Sequence, residues 1–108
     1  MVHRISNLMR VPLFDAVWRF DIVDHDIVTG DEELVSCKAT TERTGSFSYR
    51  ITMSSDNSHP ESVIAHEATH MAIMVLRDAG VEESGNHECL AYLVEYLVKT
   101  MIPIWKSH

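Results

Sequence analysis

The segment 66–70 reads HEATH, so two histidines stand four residues apart with a glutamate directly after the first. On a helix, residues four apart lie on one face, about one turn from each other. His66 and His70 can therefore direct their ring nitrogens at one point, and zinc binds such nitrogens at about 2.0–2.1 Å. Glu67 is one residue further round the turn, where a carboxylate can take a proton from a water molecule on the metal. The spacing predicts two zinc ligands and a general base on one helical face.

The same five residues also have simpler interpretations. The chain contains seven histidines, so the motif can arise by chance as polar residues on a solvated helix face. A second alternative is a zinc ion that only stabilises a small core, in a non-catalytic interaction or assembly module. The fourth coordination position distinguishes the two zinc sites, because catalysis needs it open to water and a structural site fills it with protein.

A hydrolytic zinc site needs a third protein ligand, and the segment NHECLAYLVEYL supplies candidates on the next predicted helix. Glu88 at the start of that helix is the first candidate. His87, directly before it, would give a site of three histidines. Cys89 and Glu95 are further alternatives, although a cysteine in an apolar helix is more often a core residue.

HEATH followed by NHECLAY resembles the gluzincin clan of zinc metallopeptidases, in which His-Glu-x-x-His precedes a glutamate on the following helix. The chain is similar in size to short single-domain members from bacteria and phages. The resemblance covers about residues 45–101, and it departs from the usual spelling because His87 stands where an asparagine is common. It implies a peptidase acting on a peptide or protein, and the few residues after the second helix suggest narrow specificity. Zinc would be held by His66, His70 and Glu88, with Glu67 as base and Tyr92 as a donor to the tetrahedral intermediate.

Hydrophobic periodicity predicts the elements that would position these residues. Apolar residues alternate in segments 16–24, 33–39 and 46–54, which is the period of half-buried strands. The stretch TERTG between the last two is predicted to be a turn. A helical period covers about 59–79, with a capping box from Ser58 to Glu61 and a stop at Gly80. A second helix is predicted from a cap at Asn86 to about Met101, ended by Pro103.

These elements predict an α+β fold: a small antiparallel three-stranded sheet followed by two packed helices, a minimal zincin-like arrangement. We expect one domain over residues 1–108, strand-rich in 1–55, with the zinc site in the helical part 58–102. The strand 46–54 precedes the motif helix, and in the enzymes that the chain resembles this strand lies along the cleft. Few residues follow the second helix, so a homodimer or a protein partner is expected to complete the cleft.

Composition and charge exclude several partners. The 108 residues carry a net charge of −7, with the basic residues scattered. Binding to nucleic acid or to an anionic membrane surface needs a basic patch, so neither is expected. The sequence shows no long apolar segment and no secretory signal, which predicts a cytoplasmic location, the host cytoplasm if a phage encodes the protein.

Overall fold

The computed structural model describes residues 2–25, 27–29, 35–82 and 87–108. The strands of the described ranges are β1 Val2–Ile5, β2 Met9–Val11, β3 Ala16–Val23, β4 Ile27–Thr29, β5 Val35–Cys37, β6 Ala39–Gly45 and β7 Ser48–Ser54. Two helices follow the strands, α1 Pro60–Asp78 and α2 His87–Ser107.

The main sheet is mixed. Its strand order is β1-β3-β7-β6, and β2 also pairs with β3. β3 runs parallel to β7, from the pair Val17 and Ser48 to the pair Val23 and Ser54. The pairings of β1 and β2 with β3, and of β6 with β7, are antiparallel. β4 and β5 form a separate antiparallel pair.

The predicted three-stranded antiparallel sheet is therefore wrong, although the molecule is α+β with two helices. Alternation shows which face of a strand is buried, and it does so equally well for parallel and antiparallel neighbours. It correctly placed Trp18 and Phe20 of β3, and Ile51 and Met53 of β7, on the buried face. It could not show that β7 would join β3 in parallel, or that β1 and β2 would extend the sheet.

The prediction of a turn at TERTG is also wrong. Residues 41–45 belong to β6, and the reversal comes at 46–47, where Phe47 has a φ of 54°. Thr40 and Thr41 favour a strand because their branched side chains suit an extended backbone. The consequence for the site is large, because β6 becomes a seven-residue strand at the end of the sheet.

α1 begins and ends within one residue of the prediction. Pro60 occupies its first turn, and Gly80 follows its end with a φ of +75°, which a residue without a Cβ adopts most easily. The predicted capping box is wrong: His59 is the N-cap, and no side chain makes a cap hydrogen bond. The apolar stripe of the helix is buried against the sheet, as its period requires.

α2 continues past its predicted end. Pro103 lies inside the helix, which runs to Ser107. Ile104 and Trp105 pack against the hydrophobic core, and this packing stabilises a last turn that proline alone disfavours. The expected cap at Asn86 lies outside the described residues. No helix in the described ranges has both the length and the apolar composition needed to cross a lipid bilayer.

Candidate metal centre

His66 and His70 lie side by side on the exposed face of α1. Their Nε2 atoms are 3.1 Å apart, and the two rings meet at 80° with centroids 4.7 Å from each other. The helix produces this pairing directly, since the two residues are separated by one turn. The apolar residues of the opposite face fix the helix to the core, so the imidazoles project to solvent.

The imidazole pair fits a shared metal ion. Two nitrogens bound at about 2.0–2.1 Å in a tetrahedral array stand about 3.3 Å apart. The observed separation of the two Nε2 atoms is 3.1 Å, slightly shorter than that value. Small rotations of the two side chains would bring the nitrogens to the spacing of zinc ligands. The same separation also allows one ring to donate a hydrogen bond to the other. The two nitrogens can therefore be bridged either by a hydrogen bond or by a metal ion.

Glu67 is buried although it neighbours His66 on the helix. Its residue exposure is 6 %, because one step of about 100° turns its side chain from the solvent towards β6. There, Thr41 donates a hydrogen bond from Oγ1 to Glu67 Oε1 at 2.7 Å. The other oxygen, Oε2, is 3.9 Å from His66 Nε2. The carboxylate thus lies beside the imidazole pair, with one oxygen held by the strand.

Two open cavities border this group. One, of about 330 Å³, lies between β6 and α1. Its lining consists of Ala39, Thr40, Thr41, His66, Glu67, His70 and Met74. The second, of about 380 Å³, continues along the same helix face past Ser62 and Val63. A ligand in either cavity contacts both His66 and Glu67.

β6, and not β7, is the strand beside these cavities. β7 pairs with β3 on one side and β6 on the other, so its backbone groups are used within the sheet. The expectation that the strand 46–54 lies along the cleft is therefore wrong. β6 ends the sheet in the described part of the chain, and it packs against α1. Ala39, Thr40 and Thr41 of β6 line the cavity beside Glu67.

A charged cluster fastens β6 to the end of α1. Arg43 of β6 donates from Nε to Asp78 Oδ2 at 2.9 Å, and the hydroxyl of Tyr49 donates to the same oxygen. These hydrogen bonds, that of Tyr49 first and that of Arg43 second, hold the pKa of Asp78 below its ordinary value. Burial, followed by the contact with Asp78, raises the pKa of Tyr49. The cluster therefore favours an ionised Asp78 and a protonated Tyr49.

The structure does not gather a third ligand around the two histidines. Within the described ranges, no three His, Cys, Asp or Glu side chains lie close enough to hold one metal ion. His87 and Glu88 are exposed in the first turn of α2. His87 lines a groove of about 670 Å³ together with Thr69, the residue before His70. The start of α2 therefore shares a groove with the motif helix, and the side chains of His87 and Glu88 are exposed.

The remaining candidates have other partners or other surroundings. Glu95 accepts a hydrogen bond from Lys99 at 2.9 Å, which lowers the pKa of Glu95. Cys89 is partly buried against the core. Tyr92 is 46 % exposed and lines neither cavity beside Glu67. One turn later on the same side of α2, Tyr96 donates to Arg10 O at 2.8 Å, so this side faces β2 and not the histidines.

Thr41 is the site residue that the sequence did not reveal. It lies in the stretch predicted to be a turn, 26 positions before the glutamate that it contacts. The alternation Ala39, Thr41, Arg43 is the only local signal that these side chains share one face of a strand. Even with that signal, the contact with Glu67 depends on the strand order of the sheet, which could not be predicted from the sequence.

Comparisons with protein-family models, with curated proteins and with solved structures find no match for this chain.

Proposed function

We propose that the protein is a zinc-dependent peptidase, with His66 and His70 as metal ligands and Glu67 as general base. The observation that carries the proposal is the pair of Nε2 atoms 3.1 Å apart with a buried carboxylate beside them. Chance placement of three polar residues on a solvated face gives no reason for the glutamate to be buried and held by a strand. A buried charge is costly unless it is paired and hydrogen-bonded, and Thr41 supplies a hydrogen bond to Glu67.

The roles of the side chains follow from their positions. A bound zinc ion would supply a Lewis acid that activates water and polarises the scissile carbonyl. Glu67 accepts the proton of the attacking water and returns it to the leaving amine. Oε2 is the oxygen on the side of His66, so it is the one placed for this transfer.

A peptide is the substrate class that suits the surroundings. β6 is an edge strand in the described part of the sheet, and three of its residues line the cavity with Glu67 and the two histidines. Extended peptides bind such edges by adding a strand, with backbone hydrogen bonds that are independent of side-chain identity. The scissile carbonyl would then lie between β6 and the imidazoles.

Glu88 is the proposed third ligand, and His87 is the alternative. Both stand in the first turn of α2, which is exposed and oriented towards α1 through the groove that His87 shares with Thr69. A glutamate gives a site with two neutral ligands and one anionic ligand, and a histidine gives three neutral ones. Both sets occur in catalytic zinc sites.

Metal content is the test. The wild type and the variants Glu67→Gln, Glu88→Ala, His87→Ala and His70→Ala are purified without chelator or metal-affinity steps, and zinc is measured by elemental analysis. We expect about one zinc per chain in the wild type and Glu67→Gln, and a loss of at least tenfold in affinity in His70→Ala and Glu88→Ala. Retention in Glu88→Ala with loss in His87→Ala would assign the third ligand to His87.

Cleavage is then measured with a library of quenched fluorogenic peptides. The wild type is expected to cleave a narrow subset, and Glu67→Gln is expected to lose that activity at full zinc content because an amide cannot accept the proton. Zinc in the wild type without cleavage of any peptide would favour the zinc-stabilised interaction module. A wild type that takes up no zinc, even when zinc is added back, would rule out both.

A further inference from the structure

The hydrogen bond between Thr41 and Glu67 joins the edge strand to the proposed general base. Thr41 Oγ1 is 2.7 Å from Glu67 Oε1 and 3.2 Å from the backbone oxygen of the same residue. A hydroxyl has one proton to donate. The carboxylate oxygen is the closer acceptor and carries charge, so the stronger hydrogen bond goes to Oε1.

We propose that Thr41 is a positioning residue for Glu67: it fixes Oε1 so that Oε2 is the oxygen that faces the reacting water. The inference rests on the proposed function, because positioning a base matters only if Glu67 acts as one. It goes beyond the His-Glu-x-x-His motif, since Thr41 lies on a different element and its side-chain hydrogen bonds in the described structure are to Glu67.

The strand geometry explains why Thr41 is in a fixed place. Alternate residues of β6 point to the same face, so Thr41 and Arg43 both face α1. Arg43 is bonded to Asp78 near the end of the helix, and Thr41 is bonded to Glu67 in its middle. These two contacts hold β6 against α1, one near the end of the helix and one in its middle. The contact between Arg43 and Asp78 therefore helps to keep the Thr41 hydroxyl beside the Glu67 carboxylate.

Loss of the hydroxyl would free the carboxylate to rotate. Glu67 would then spend less time with Oε2 towards the imidazoles, while the hydrogen bond between Arg43 and Asp78 still holds β6 on α1. The hydroxyl is bonded to Glu67, so its loss should act on the proton transfer and change kcat more than KM. Removal of a group that orients a functional residue costs about 10- to 100-fold in activity.

The test compares Thr41→Val, which keeps the shape and removes the hydroxyl, with Thr41→Ser, which keeps the hydroxyl. Thr52→Val on β7 is the matched control, because it removes a threonine hydroxyl from the neighbouring strand and no hydrogen bond joins Thr52 to Glu67. The activity probe is the library peptide that the wild type cleaves fastest. We expect a 10- to 100-fold lower kcat in Thr41→Val with KM within about twofold, near-complete rescue in Thr41→Ser, and no change in Thr52→Val.

A second measurement is independent of metal and of substrate. The ¹³C resonance of the Glu67 side-chain carboxyl is assigned in the zinc-free protein by its disappearance in Glu67→Gln. At one fixed pH it should shift in Thr41→Val, return in Thr41→Ser and stay unchanged in Thr52→Val. Zinc content should equal that of the wild type in all three variants.

Each outcome decides between the proposals. An unchanged carboxyl resonance in Thr41→Val would show that the hydrogen bond does not form, and the inference would be wrong. A shifted resonance with unchanged kcat would make Thr41 a structural contact and would also overturn it. If the wild type neither binds zinc nor cleaves peptides, the proposed function fails and the positioning role fails with it, whatever the resonance does. A zinc loss in Thr41→Val would replace positioning by a role in building the metal site.

Discussion

His66 and Glu67 are neighbours in the chain with opposite surroundings. The histidine side chain is 68 % exposed and the glutamate side chain 8 %. A single helical step separates a group that must meet a ligand from one that must be shielded and oriented. Burial of Glu67 is tolerated because Thr41 supplies a hydrogen bond to the charged form. The arrangement gives the carboxylate one fixed oxygen and one available oxygen.

Gly80 offers a test of backbone strain without steric conflict. Its φ is +75°, and a Cβ added there would meet nothing within 4 Å. Gly80→Ala is therefore expected to destabilise the protein by about 1–2 kcal/mol, the cost of a left-handed conformation for a residue with a Cβ. Urea unfolding followed by circular dichroism measures the change.

Gly45 at the end of β6 is the matched control for that experiment. Its Cβ would meet the nearest atom, Cβ of Ser48, at 3.8 Å, an ordinary contact, and its φ is not in the positive region. Gly45→Ala should change stability by less than about 0.5 kcal/mol. Equal effects of the two substitutions would show that strain at the end of α1 is not what Gly80 relieves.

At the scale of elements, two groups of contacts hold β6 in position on α1, beside the proposed site. Thr41 sets this position in the middle of the helix, and the Arg43–Asp78 pair sets it at the end. Tyr49 of β7 joins the same aspartate, so the second strand is tied to the helix as well. The cluster acts on the site from a distance, by holding the strand that borders it.

The cluster predicts an acid-sensitive contribution to stability. The pKa of Asp78 is lower in the folded protein than its ordinary value of about 3.9. A group with a depressed folded-state pKa stabilises the fold above its unfolded-state pKa, and this contribution disappears as the pH falls through the folded-state pKa. We therefore expect Asp78→Asn to be less stable than the wild type at pH 5–7, and the difference to shrink below about pH 3.9. Urea midpoints at a series of pH values measure it.

Asp56 provides the comparison for this series. It forms an ion pair with Lys38 at 3.1 Å, but the pair is exposed to water, where such contacts contribute little. Asp56→Asn should change the midpoints much less than Asp78→Asn at neutral pH. A difference between wild type and Asp78→Asn that persists unchanged to pH 2 would mean that the charge of Asp78 does not contribute.

The sequence predicted which face of each helix or strand is buried better than it predicted which elements pack against each other. α1 is where its period placed it, and the apolar residues of β3 and β7 are buried as the alternation required. The turn at TERTG and the end of α2 at Pro103 were wrong because packing against the rest of the fold overrode local preference. Sheet order is set by contacts between distant segments, which a local period does not record.

The candidate site shows the same division. The pairing of His66 with His70 follows from helical geometry alone, and the structure brings the two rings together. The burial of Glu67 and its contact with Thr41 could not be predicted without the tertiary structure. The choice between His87 and Glu88 stays a prediction, since both are exposed and the segment 83–86 before them lies outside the described residues.

At the scale of the molecule, one hydrophobic cluster supports both the sheet and the helices. Buried residues of β2, β3, β7, α1 and α2 belong to a single cluster. Its members are Val11, Ala16, Trp18, Phe20, Ile22, Tyr49, Ile51, Met53, Ile64, Ala68, Met71, Ala72, Val75, Leu76, Leu93, Leu97 and Met101. His66 and His70 lie on the exposed face of α1, opposite this cluster. The proposed zinc ligands are therefore separate from the packing that stabilises the fold.

The parallel junction of β3 with β7 has a consequence for how the chain folds. Val17 pairs with Ser48, so about 30 residues must be looped before the two strands meet, whereas Gly45 and Ser48 meet across a tight turn. Closing the longer loop costs about 2 kcal/mol more in chain entropy than closing one a tenth as long. We therefore expect the β6–β7 hairpin to form early and the junction with β3 to limit the folding rate.

Ile22 of β3 reports on that junction, because it is fully buried and pairs with Met53. Ile22→Val should destabilise the protein by about 0.5–1.5 kcal/mol. If the junction limits the rate, stopped-flow kinetics will show most of this loss as slower folding. Faster unfolding at an unchanged folding rate would show that the junction forms after the transition state for folding. In the first case, the edge strand of the proposed active site exists before the sheet that carries it is complete.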